Sequence, residues 1–424
     1  MGAPSMDDIL EADSAASARY GNFYVPHIVD ETLREGVERC MFPVSTDQLM
    51  VLFHHLVDAG LREFVVGSGP EEPELYRRIC EERDREEIPT DVIPILLVLL
   101  NCWDATYGHV RRMRTEWISN TTFSFGMIPH RRNEKLFETV VARFKDLGAR
   151  HLKVSILNDF TRQVDQQQYD EIRAQIDWAR ELGIRTIRVN DSLGRLYPES
   201  TERLCSHLVQ DYPDLVFCLH CHNDRGLALA NQLVSIYNGF QMVEGSLCGH
   251  GNRSGIAAIE ILIAVCLEKN IGLGDRPLDI RRLCQAAQLA EQIFMQIPNV
   301  FRPISGQFVN KANFGVLNIP DFLDAEGERD YFLNVVNLHP NTIRRALEAH
   351  GFEPLLEDER FLTSVAASLR ETIEGRYTKQ LQDYHRVMSE ILEFYRGALL
   401  SNADMVKLAG RIAREHPTAA ASSV

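Results

Sequence analysis

The chain predicts an α/β protein whose main body is a (β/α)8 TIM barrel, followed by a small irregular subdomain and a C-terminal helical subdomain. Three observations lead there. Eight short β-branched or apolar runs alternate with helical patterns between Tyr24 and Leu247, as buried parallel strands joined by crossover helices do. Polar and ionisable residues gather at the C-terminal ends of several runs, where barrel enzymes carry their sites. With 424 residues, 45% of them hydrophobic, the chain can bury a core of that size. A doubly wound open sheet shares the alternation, but the number of runs and the placement of the polar ends favour closure.

Taken in order, residues 1–22 are acidic and rich in Ser and Ala, with no basic stretch before an apolar one, and read as a mobile leader rather than a signal peptide. The runs are Tyr24–Thr32, Glu63–Gly67, Val92–Leu100, Thr122–Ile128, His151–Ile156, Thr186–Asn190, Val216–His222 and Met242–Leu247. Between them, Thr46–Ala59 and Gln167–Leu182 are amphipathic and stop at Gly60 and Gly183, as helices do. The catalytic barrel is assigned to residues 23–280. Residues 281–341 form a linker subdomain with two irregular stretches, and 342–424 a helical subdomain with patterns at Glu357–Glu374, Tyr377–Leu399 and Asn402–His416.

Charge narrows the function. Sixty acidic against 45 basic residues, net −15, with no basic stripe, argue against nucleic acid and anionic membranes as partners. The longest apolar run, Val92–Leu100, is interrupted by Pro94 and is about half the length that spans a bilayer. A cytoplasmic location is expected. Nine scattered cysteines, several inside apolar runs, fit reduced core thiols better than a disulfide framework.

Chemistry concentrates in Leu219-His220-Cys221-His222-Asn223-Asp224. Side chains two apart on a strand share a face, so His220 and His222 form a pair of candidate metal ligands at the end of a rigid element. Cys221 points the other way, which argues against one compact zinc cluster with Cys218. Other run ends carry Asp30-Glu31-Thr32-Leu33-Arg34-Glu35-Gly36, Lys153-Val154-Ser155, Asn190-Asp191-Ser192-Leu193-Gly194 and Gly249-His250-Gly251-Asn252-Arg253-Ser254-Gly255. In a barrel they converge on one pocket. The last of these lacks the third glycine of a dinucleotide fingerprint and the acid that should follow it, so no nicotinamide site is expected.

Together these motifs resemble the metal-dependent barrel enzymes that include homocitrate synthase, 2-isopropylmalate synthase and 3-hydroxy-3-methylglutaryl-CoA lyase, over roughly Val29 to Ile256. The resemblance implies Glu35, His220 and His222 as ligands of a divalent metal. Two imidazoles and a carboxylate suit zinc, manganese or iron, with magnesium wanting more oxygen ligands. It implies Arg34 as the cation that stabilises a developing alkoxide or enolate, Lys153 and Ser155 as binders of the far, acidic end of a 2-oxo acid, and Ser192 as a contact of its first carboxylate. Glu at position 35 and Ile256 in place of a metal-binding Asn lean toward homocitrate synthase. Arg253 stands where the lyases carry a cysteine and joins the substrate-binding set.

One departure stands out. Where the synthases carry a histidine-bearing segment after the barrel, this chain has Phe308-Val309-Asn310-Lys311-Ala312-Asn313-Phe314-Gly315, so both histidines are gone. The nearest candidates for the acid/base are His250 and His339. The resemblance implies a homodimer that condenses an acyl-CoA with a 2-oxo acid in a Claisen-type step, without the regulatory domain of the leucine-inhibited isopropylmalate synthases and in a specialised pathway. The rival expectations are a lyase or aldolase with the same metal site, and a catalytically silent ligand-binding relative.

Overall fold

Eight parallel strands close into a barrel in chain order, with the last pairing back onto the first. In this computed structural model the described residues are 23–126, 135–158, 164–309, 312–313, 331–332, 335–348 and 350–415. The leader, the C-terminal tail beyond 415, and Asn310, Lys311, Phe314 and Gly315 of the departing segment lie outside them.

The first apolar run divides at Pro26. Strand β1 (Tyr24–Val25) pairs with the short β10 (Gly272–Leu273), and β2 (His27–Asp30) opens the barrel. The remaining barrel strands are β3 (Glu63–Ser68), β4 (Ile93–Leu99), β5 (Thr122–Gly126), β6 (His151–Asn158), β7 (Thr186–Asp191), β8 (Val216–Cys221) and β9 (Met242–Gly245). Alternation sorts their side chains: Val29, Val65, Ile95, Leu97, Cys218 and Met242 fill the lumen as one apolar plug. Opposite-facing residues such as Phe123, Phe125, Val154, Ile187 and Phe217 pack against the outer helices.

Helix α1 (Thr32–Arg39) follows β2 directly. Helix α2 (Thr46–Asp58) starts at a reciprocal cap between Ser45 and Gln48 and buries Leu49, Leu52, Phe53 and Leu56. The outer ring continues through α3 (Glu74–Asp84), α4 (Trp103–Val110), α5 (Thr115–Ser119), α6 (Leu136–Asp146), α7 (Gln166–Glu181), α8 (Pro198–Asp211), α9 (Ala228–Tyr237) and α10 (Ile259–Glu268). Asp165 and Gln168 cap α7 in the same reciprocal way as α2 is capped.

Helix α11 (Ile280–Ile293) corrects the expected boundary at residue 280. Its Leu283, Ala286, Ala287 and Ala290 are buried in the same core as Phe53 and Leu56 of α2, and the compact unit that contains the barrel runs on through Val309. A second unit holds α12 (Pro340–Leu347), α13 (Glu359–Ala398) and α14 (Asn402–Glu415), with a small core of Ile343, Leu356 and Leu362. Two of the expected helices are one: α13 runs for 40 residues straight through Gly375, because a lone glycine costs a helix only about 1 kcal/mol. No helix among the described residues is long and apolar enough to cross a membrane.

Candidate metal centre and active site

The C-terminal ends of β2, β8 and β9 bring the candidate ligands together. Asp30 ends β2 and accepts from the Thr32 backbone N–H at 3.0 Å and from its hydroxyl at 2.7 Å, which starts α1 at once. The Thr32 hydroxyl in turn accepts from the Leu247 N–H at 2.7 Å, tying α1 to the loop after β9. One turn into α1, Arg34 and Glu35 lie over the barrel mouth. Glu35, His220 and His222 are all buried and offer ligand atoms within 4.8 Å of one another.

The cluster fits a divalent cation. His220 Nδ1 lies 3.0 Å from a Glu244 carboxylate oxygen and also touches the Arg188 guanidinium, so the ring is held in place by a group that accepts and a group that donates. The other ring nitrogen, Nε2, faces Glu35, whose Oε1 is 3.7 Å away. A carboxylate behind a ligating imidazole is the usual device that fixes its tautomer and orientation. Nδ1 of His222 is buried with no hydrogen-bond partner among the described residues. Bonds of about 2.0–2.2 Å to a metal bring neighbouring ligand atoms roughly 3–3.5 Å apart, a small contraction from the present spacing. Ile256 is buried and its backbone bridges His222, so that position adds no polar side chain.

Arg34 sits beside this cluster, donating to Glu35 Oε1 at 2.8 Å, to Glu38 at 2.8 Å and through Nε to Glu31 at 3.0 Å. The Asn252 N–H holds the other Glu35 oxygen at 3.1 Å. Gly251 leaves room for Glu35 in this position, because a Cβ there would stand 2.7 Å from Glu35 Oε2 and push the carboxylate aside. Gly194, with φ of +56°, lets the β7 loop pass 2.6 Å from the His222 carbonyl, measured from where a Cβ would be. Burial pushes the Glu35 carboxyl up, with Arg34 opposing. Burial, reinforced by Arg188, lowers His220 to about 3, and burial also lowers His222. Both rings are therefore neutral and able to ligate near neutral pH.

Beneath the ligands lies a feature that the sequence did not disclose. Arg188, on β7, donates to Glu31 Oε1 at 2.8 Å and sits 2.8 Å from Glu244 on β9. Glu244 also holds the ammonium of Lys153. Charges alternate up the lumen in the order Lys153, Glu244, Arg188, Glu31, Arg34, Glu35. Burial alone would raise Glu31 and Glu244, but Arg34 and Arg188 hold the first, and Arg188 and Lys153 the second, below the usual carboxylate range. Glu31, His220 and Glu244 also have metal-like spacing, but the Arg188 guanidinium already serves as their cation. The one local signal was alternation: Arg188 stands between the outward-facing Ile187 and Val189 of β7, and Glu244 follows Val243 on β9, so both face inward.

Other expected site residues fare differently. Lys153 is buried and its ammonium is spent on Glu244, against the expectation that it binds a substrate acid. Ser155 is buried and its hydroxyl has no partner among the described residues. Arg253 clasps Asp224 at 2.9 and 2.8 Å and the Ser192 carbonyl at 2.6 Å, so its guanidinium joins two loops at the mouth. His250 is not among the clustered ligands. Its ring stands edge-on to Phe294, 5.5 Å between centroids, and burial with Arg39 and Arg302 nearby lowers it to about 3, a poor match for a general base at neutral pH. His339 belongs to the second unit, exposed at the start of α12.

The family model described as HMGL-like matches residues 25–290, the whole barrel with its metal-spaced cluster. The chain belongs to the HMGL-like family. Among curated HMGL-like relatives, the homocitrate synthase of Sulfolobus acidocaldarius is 28% identical over 326 residues, spanning 72% of this chain and 67% of its own length. That of Sulfurisphaera tokodaii is 26% identical over 337 residues, with 72% and 68% covered. Among solved structures, the hydroxymethylglutaryl-CoA lyase of Pseudomonas aeruginosa aligns with a TM-score of 0.51 at 16% identity, over 68% of this chain and 99% of that one. The carboxyl transferase domain of Rhizobium etli pyruvate carboxylase aligns with a TM-score of 0.51 at 14% identity, over 69% and 52%. Lyase and carboxyl transferase share the barrel, so the HMGL-like fold does not fix the reaction.

Proposed function

We propose that this protein is a divalent-metal-dependent condensing enzyme that joins an acyl-CoA to a 2-oxo acid, as homocitrate synthase does. The observation that carries the reading is the buried convergence of Glu35, His220 and His222 with Arg34 at hydrogen-bond distance from Glu35. The curated relatives named homocitrate synthase support the direction of reaction.

In this reading Glu35, His220 and His222 hold the cation. A bound divalent ion would act as a Lewis acid on the oxo acid and fix which face of its carbonyl is attacked. Glu244 and Arg188, both in contact with Nδ1, orient the His220 ring so that Nε2 faces Glu35. Arg34 is the group that meets the developing alkoxide: its guanidinium is held from three sides by Glu31, Glu35 and Glu38, so it is aimed before substrate arrives and costs no reorganisation during the step. Ser155 and Ser192 complete the oxo-acid pocket, and Arg253 shapes its rim through Asp224. The α-proton of the acyl group leaves to a base other than His250, whose ring is packed on Phe294.

The second unit supports a homodimer. Tyr377, Leu381, Tyr384, Met388, Ile391 and Tyr395 follow one another at alternating spacings of four and three along α13, a coiled-coil seam. The first three are 62%, 38% and 59% exposed.

Metal analysis tests the site itself. The native chain should take up one Mn2+ or Zn2+, and Glu35→Ala and His222→Ala should each lose it while keeping the native circular dichroism. Retention of a full equivalent by both variants refutes the assignment. A lyase running the same chemistry in reverse would instead cleave a hydroxy acid thioester to free CoA-bound and oxo-acid fragments, with no CoA release from an acyl-CoA and oxo acid supplied together.

A further inference from the structure

We infer that the oxo-acid acceptor of this barrel is a monocarboxylate with an uncharged remote end, because the ammonium beneath the ligand cluster is neutralised by Glu244. The inference rests on the condensing-enzyme reading and names the acceptor class for the same site.

The geometry is set by strand register. His220 pairs across from Asn190, and Arg188, two residues lower on β7, pairs with Ser155 on β6. Lys153 is the next inward residue below Ser155, and it also borders a cavity of about 430 Å³ at the opposite, N-terminal mouth, with His27, Glu63, Thr186 and Met242. An acceptor whose head lies at Glu35, His220 and His222 points its tail down toward Ser155 and Asn190. Between that tail and Lys153 stand Arg188 and Glu244, and among the described residues every cation on the way is already matched: Arg34 to Glu31, Glu35 and Glu38, Arg188 to Glu31 and Glu244, Lys153 to Glu244.

A second carboxylate on the acceptor would enter this lattice as an extra buried anion facing Glu244 and Glu31, and a buried charge without a partner is strongly disfavoured. What the depth of the pocket offers instead is neutral. The Ser155 hydroxyl and the Asn190 side-chain oxygen are buried without partners among the described residues, and Val65, Ile95, Leu97 and Cys218 form the apolar plug below. Such walls suit a short alkyl or hydroxyalkyl tail.

The test is isothermal titration of the Mn2+-loaded full-length chain with 2-oxovalerate and 2-oxoglutarate, which have five carbons each and differ in the terminal carboxylate. The monoacid should bind tighter by roughly 30-fold or more, as expected when a site leaves one of two ligands with an unpaired buried charge. In Glu244→Gln, checked for folding by circular dichroism, Lys153 is released and the ratio should move toward 2-oxoglutarate by about 10-fold or more. Equal or tighter binding of 2-oxoglutarate by the native chain overturns the inference and leaves the condensing-enzyme reading standing. A native preference for the monoacid that Glu244→Gln leaves unchanged overturns the assignment to the Lys153–Glu244 pair. Binding of neither acid overturns the inference together with the function on which it rests.

Discussion

Replacing Arg188 with methionine tests the charge lattice on which the candidate site stands. The side chain is 3% exposed and is the shared cation of Glu31 and Glu244. Methionine keeps most of the volume and removes the charge, leaving two buried carboxylates with one remaining cationic partner each: Arg34 at 3.0 Å for Glu31, and Lys153 for Glu244. Breaking a buried ion pair from one side costs about 3–5 kcal/mol. Removing Glu31 as well, in Arg188→Met/Glu31→Gln, restores the balance of charge and should return at least about half of that loss, since paired removal is far less costly than single removal. Denaturant unfolding read by the fluorescence of Trp117 and Trp178, which are 7% and 2% exposed in the barrel unit, measures both. A single-variant loss under about 1 kcal/mol, or a double-variant loss equal to the sum of the two singles, refutes the lattice as a coupled unit.

Three further outcomes are expected. His250 is lowered to about 3 in the fold against about 6.5 in the unfolded chain. The folded state thus binds fewer protons, and its stability is fully present above pH 6.5 and lost as pH falls from there toward 3. Between pH 7.5 and 5 this one ring should account for about 2 kcal/mol of loss, and His250→Phe, which keeps the packing on Phe294, should remove that component from the urea midpoint at pH 5. An unchanged pH dependence would show that the ring is hydrated. Gly251→Ala should push Glu35 away through the 2.7 Å approach of its Cβ and weaken Mn2+ binding by about 10-fold or more with little change in circular dichroism; unaltered affinity would place Glu35 outside the site. Leu381→Glu with Tyr384→Glu on α13 should convert a dimer to a monomer in analytical ultracentrifugation, and a dimer that survives both charges would locate the interface elsewhere.

How far the sequence led can be read from particular residues. His220 and His222 were legible because a two-residue period on a strand is a local rule, and Glu35 because Thr-Leu-Arg-Glu-Gly is a contiguous motif at a strand end. The barrel followed from eight alternating runs. Its edges did not: Pro26 divides the first run between two sheets, and α11 reads as the start of a linker until its alanines are seen against α2. Neither effect has a local signal. Gly375 misled in the other direction, since its cost to the helix is too small to end it. The lattice of Lys153, Glu244, Arg188 and Glu31 was invisible for a different reason. Its members come from three strands and the residue that follows a fourth, and only the register of a closed barrel brings them together. Lys153 alone looked like a cation awaiting a substrate acid; beside Glu244 it is one half of a satisfied pair. His250 looked like a base because it neighbours the site in sequence, while the turn after β9 directs its ring toward Phe294.

The measurement that bears most directly on the proposed reaction is release of free thiol from the metal-loaded chain, with a panel of acyl-CoAs crossed against 2-oxo acids, products identified by mass and Glu35→Ala as the control. The account predicts CoA release that requires both substrates and Glu35, and a product whose mass is that of the oxo acid plus the free carboxylic acid of the acyl group, because water takes the place of CoA on the thioester carbonyl. No release from any pair, with the metal shown to be bound, would contradict it.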